Sequence, residues 1–105
     1  MGVEAEQGRV HFGVARIDVH LPGVHGLKER RALLQPIRAA LERMGCSVAE
    51  VGAQDRWQRA VLGVATASST AGGVDTTLAA IVEVVERDPR VTVISMTEVV
   101  DDLDA

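Results

Sequence analysis

Residues 17–41, IDVHLPGVHGLKERRALLQPIRAAL, change their hydrophobic period partway along, and that change decides the fold. Ile17, Val19 and Leu21 alternate with Asp18 and His20, the period of two expected of a strand with one buried face. Pro22-Gly23 breaks the run. Leu27, Leu34, Ile37, Leu41 and Met44 then recur at spacings of three, four and seven, the stripe of an amphipathic helix. Gly45 suits the position just past a helix C-terminus, where left-handed backbone is common. Pro36 has no N–H to offer the carbonyl four residues back, so it either kinks this helix or marks a restart at Gln35-Pro36.

Upstream, Val10, Phe12 and Val14 hold the opposite phase to Ile17, which predicts a half-strand covered on both faces. Downstream, Cys46 to Val51 and Trp57 to Ala67 read as two strands joined by a hairpin loop over 52–56. The core of the second, Ala60 to Ala65, is apolar in both phases. After the small polar loop Ser68 to Gly73, Leu78, Ile81, Val82 and Val85 form a second helical stripe, which Asp88-Pro89 ends. Val91 to Val100 is β-branched and strand-like. The order βαββαβ predicts an α+β, ferredoxin-like sandwich: a four-stranded antiparallel sheet, order 4-1-3-2, with two helices on one face.

One domain is expected over residues 9–100, with a polar extension at 1–8 and an acidic tail at 101–105 that packs on nothing. Hydrophobic residues make up 47% and charged residues 25% of the 105 residues, an ordinary globular balance that excludes a wholly disordered chain. No stretch approaches the length of a membrane span and the start lacks a signal peptide's pattern, so the expected location is the cytoplasm. Cys46 is the lone cysteine and is expected to be a small core residue. The net charge of −4 is unevenly spread: residues 1–73 hold nine Arg/Lys against seven Asp/Glu, and 74–105 hold two against eight. Such a total argues against indiscriminate nucleic-acid binding and leaves room for a local basic site.

Three runs carry a resemblance: His20-Leu21-Pro22-Gly23 followed by Leu27-Lys28-Glu29-Arg30-Arg31; Ser47 to Gly52; and Gln54-Asp55 with Trp57-Gln58-Arg59-Ala60 and Leu62 to Ala65. Together they closely resemble the YlxP-like family of bacterial proteins, a domain of unknown function, from about Val10 to the end of the second helix. Gly26 departs from the family pattern, which usually has Ser ahead of Leu-Lys, so a Ser cap on the first helix is lost. The resemblance implies a ferredoxin-like fold, self-association, and genes that often lie beside those for translation initiation and ribosome maturation. It implies no established enzyme activity.

In a βαββαβ layout the first strand ends where the first helix begins and where the hairpin turns. His20, Lys28, Arg30, Arg31, Gln54, Asp55, Trp57, Gln58 and Arg59 should therefore gather at one end, as a candidate anion- or RNA-binding site. Trp57 is expected to be largely buried. With Phe12 the only other aromatic and Tyr absent, the stacking platform of an RNA-recognition motif cannot be assembled. His20, Glu50 and Asp55 have no recognised metal-ligand spacing, and Gly72-Gly73 belongs to no phosphate-binding motif. No metal, cofactor, membrane or catalytic role is expected. The first expectation is a non-enzymatic RNA- or ribosome-associated binding protein. The second is a homo-oligomeric interaction module, at least a dimer, because helices cover only one face of such a sheet. The third is an enzyme or binder of a phosphorylated small molecule.

Overall fold

The computed structural model describes residues 8–104. Its elements are β1 (Val10–His20), α1 (Leu27–Arg43), β2 (Ser47–Gly52), β3 (Arg59–Ser68), α2 (Ala71–Val85) and β4 (Thr92–Leu103). The strands form one sheet ordered β2-β3-β1-β4, antiparallel at every pairing, as the element order predicts. Of the extension expected at residues 1–8, all but Gly8 lies outside the described residues.

Alternation of burial shows which side of the sheet meets the helices. Ala15, Ile17 and Val19 of β1 and Ala60, Leu62 and Val64 of β3 are buried, and they pack with Leu33, Leu34, Ile37 and Leu41 of α1 and Val74, Leu78, Ile81 and Val85 of α2. Val10, Phe12 and Val14 take the other phase and point to the open side of the sheet, so the expectation that this half-strand is covered on both faces fails. What permits the phase change is Gly13. It faces α2, where a Cβ would stand 2.7 Å from Leu78 Cδ1 and 2.9 Å from Val74 Cγ1, so helix side chains fill the place of its missing one.

Pro36 lies inside a single continuous α1, on its exposed side. Gly45 follows the helix at φ +89°, the left-handed backbone expected there. Gly26 is the N-cap of α1 and makes no side-chain cap; the His25 N–H donates to Glu29 instead, at 3.4 Å. Gly72 and Gly73 belong to the first turn of α2 and not to a loop, since Thr70 caps that helix by accepting from the Gly73 N–H at 3.0 Å. β4 also runs further than expected. Asp101, Asp102 and Leu103 pair with Phe12, His11 and Val10, so most of the anticipated acidic tail is strand.

Candidate functional site

The hairpin end is built around Arg30. Counting along α1, Arg30, Leu33, Leu34, Ile37 and Leu41 share the buried face, so a guanidinium enters the layer between helix and sheet. Glu50 reaches the same layer, because it pairs with Leu62 and shares its face of the sheet. Arg30 Nη2 donates to the Glu50 carboxylate and to the carbonyls of Ala53 at 3.2 Å and Arg59 at 3.1 Å, and Nε donates to Arg59 at 3.3 Å. One side chain thus ties β2, the start of the hairpin loop and the start of β3. Burial of this cation is tolerable because the donors turned inward find acceptors.

Further bonds fix the loop. Gln54 Nε2 donates to the Glu50 carbonyl at 3.2 Å, Gln58 Nε2 to the Val24 carbonyl at 3.4 Å, and the Leu21 N–H to the Gln58 carbonyl at 2.9 Å. Ala53 adopts a positive φ of 57°, as the tight exit from β2 demands. On the open side of the sheet Arg59 grips Asp18 in a two-pronged ion pair, with bonds of 3.0 and 2.5 Å.

The nine candidate residues do gather at this end, but on two sides of the sheet. His20, Asp55, Trp57, Gln58 and Arg59 line an open cleft of about 590 Å³ together with Arg56 and Ile94. Arg30, Arg31 and Gln54 line a second cleft of about 430 Å³ between α1 and β2. Lys28 is exposed on the first turn of α1 and lines neither.

Two assignments change. Trp57 is not buried: β3 begins at Arg59, which leaves Trp57 in the hairpin loop, 49% exposed. Arg30 is 6% exposed and spends its donors internally, so it is a structural tie and adds nothing to a cationic surface. Arg56, exposed next to Trp57 and lining the same cleft, is a candidate that sequence reading missed. Its place in the loop beside the only tryptophan was the available signal. The displaced pKa values belong to residues that line neither cleft. Hydrogen bonds from Arg90 hold the Asp88 carboxyl down to about 2, and burial pushes the Cys46 thiol up.

Among the described residues no group of three or more His, Cys, Asp or Glu side chains could hold a metal ion, and no helix is long and apolar enough to cross a membrane. Residues 12–98 match the family described as "Protein of unknown function (DUF503)". The chain belongs to that family. Its similarity to the "Uncharacterized protein YlxP" of Bacillus subtilis (strain 168) is 35% identity over 60 residues, 56% of this chain and 65% of the relative's length. Among solved structures, "De novo designed protein Foldit4" is similar with a TM-score of 0.46 and 14% identity, over 90% of this chain and 96% of that one. As a DUF503 chain, the protein has a βαββαβ sheet whose hairpin end gathers His20, Gln54, Asp55, Trp57, Gln58 and Arg59.

Proposed function

We propose that this DUF503 protein is a non-enzymatic binding protein that engages RNA, in the setting of the ribosome, through its hairpin end. The observation that carries the reading is the half-exposed Trp57, held out on a braced loop over a cleft that also offers Arg56 and His20. An indole so placed can stack on an unpaired base, and a neighbouring guanidinium can meet the phosphate beside it. Exposed Lys28 and Arg31 add cationic charge at the same end. Phe12 lies at the far end of β1 from His20, about 25 Å away at the usual strand rise, so one base stacks here and not a row of them. Particle-binding assays test the reading. The chain should co-sediment with ribosomal particles at low salt and release as salt rises, and Lys28→Ala with Arg31→Ala should weaken binding. No association at low salt would refute it.

A second reading, self-association, is favoured by a separate observation. Val10, Val14, Val51, Ile94, Val99 and Leu103, all exposed, stand on the open side of the sheet or along β4. A surface of this kind on a small chain calls for a cover, and a second copy supplies one.

A further inference from the structure

A polar stripe runs down α1 beside its buried face. Arg31, Gln35 and Arg38 stand four and three residues apart, so they share one side of the helix, next to the stripe of Arg30, Leu34 and Leu41. Opposite them are Glu50 of β2 and Gln54 of the loop that follows. The cleft of about 430 Å³ between these walls also takes in Leu27 and Leu34.

These walls carry more donors than the chain itself uses. The donors that Arg30 spends internally are those of Nε and Nη2, and Nη1 makes no bond. Among the described residues no buried side-chain nitrogen or oxygen lacks a partner, so Nη1 is not sealed in, and the opening that Arg30 lines is this cleft. A guanidinium that is 6% exposed thus presents its one unbonded nitrogen there. Arg38 Nη2 donates to the Val48 carbonyl at 3.1 Å and Gln54 Nε2 to that of Glu50, which caps the outer strand β2. Arg38 keeps Nε and Nη1 unbonded, and Arg31 makes no hydrogen bond or ion pair among the described residues. Glu50 accepts from Arg30 on Oε1 and has Oε2 to spare.

We infer that the cleft between α1 and β2 binds a phosphorylated small molecule of sugar-phosphate size, its phosphate held by Arg31, Arg38 and the unbonded nitrogen of Arg30. Arg30 and Glu50 cancel in charge, so Arg31 and Arg38 leave the cleft cationic. Guanidiniums arriving from separate positions suit a phosphate, whose oxygens point to several sides, better than a carboxylate, which accepts in one plane. A phosphate monoester also carries more charge than the diester of a nucleic-acid backbone, and so gains more from two unpaired guanidiniums. Space beside the anion, walled by Leu27 and Leu34, suits a short carbon body, and Glu50 Oε2 can accept from a hydroxyl on it. The inference does not rest on the RNA reading, which turns on Trp57 and the cleft on the other side of the sheet, so either can fail alone.

The experiment titrates the full chain with ribose 5-phosphate by calorimetry at physiological salt, where diffuse attraction between surface charges is screened. Ribose and inorganic phosphate are titrated for comparison. Ribose 5-phosphate should bind saturably at one site, inorganic phosphate more weakly, and ribose not at all. Arg31→Gln and Arg38→Gln should each weaken binding by about tenfold or more, the loss of a charge-assisted bond, while Arg56→Gln, in the other cleft, should leave it unchanged. Circular dichroism shows that each variant is folded. Should Arg38→Gln fail to fold, Arg31→Gln decides, since Arg31 is exposed. Trp57 serves as a reporter of the wrong site, so its emission should not change as ribose 5-phosphate binds. Absence of binding would overturn the inference, as would binding that persists unchanged in both Arg31→Gln and Arg38→Gln. Equal weakening in Arg56→Gln, or quenching of Trp57, would move the ligand to the hairpin cleft and overturn it too. Inorganic phosphate that binds as tightly as ribose 5-phosphate would reduce the cleft to an ion site and overturn the ligand class.

Discussion

Arg30 on α1 and Glu50 on β2 meet in the layer between helix and sheet, and the same guanidinium holds the carbonyls at both ends of the hairpin loop. Charges taken this far out of water are expensive to leave alone. Arg30→Met should therefore cost about 3 to 5 kcal/mol, because it strands the Glu50 carboxylate and frees the loop. Adding Glu50→Leu should recover much of that loss. Urea unfolding of the two single variants and the double variant measures the coupling, and simple additivity would show that the pair is not a unit.

Trp57→Ala should cost about 1 kcal/mol or less, the range of surface substitutions and far below the loss of a core aromatic. The native emission maximum should lie toward that of a solvated indole. A blue-shifted maximum or a large drop in melting temperature would place the ring inside a core instead.

Gly26→Ser should stabilise the chain by about 0.5 to 1 kcal/mol. The backbone there is extended (φ −177°), nothing lies within 4 Å of an added Cβ, and α1 has no side-chain cap for its first amides. A Ser hydroxyl would supply that cap, and replacing glycine reduces the freedom of the unfolded chain. Thermal unfolding reads the change; a lower melting temperature would contradict it.

How far the fold was legible can be seen at residues 17–41. The switch from a period of two to a helical stripe places β1 and α1, and Ile17, Val19, Leu34, Ile37 and Leu41 are buried as that pattern requires. The site was read less well, for reasons of the same kind. Leu27 looks like the first residue of the apolar stripe yet is 52% exposed, whereas Arg30, four residues before Leu34, holds the buried position. Sequence patterning sorts side chains by polarity, so a cation inside is seen only once its acceptors are found, and these come from residues 20 or more positions away. Trp57 was misplaced because its apolar character joins it to Ala60–Ala65, although the loop continues to Gln58. Which of the two sheet edges is capped depends on Arg38 and Gln54 reaching backbone carbonyls, a geometry with no signature in composition or spacing.

Trp57 is the only tryptophan, so the intrinsic fluorescence of the chain reports on the hairpin cleft alone. Titration with a short single-stranded RNA at low ionic strength is the most direct test of the proposed role. Stacking on the indole predicts saturable quenching of the emission, with an affinity that falls as salt is raised. Emission that stays unchanged throughout the low-salt titration would contradict the account.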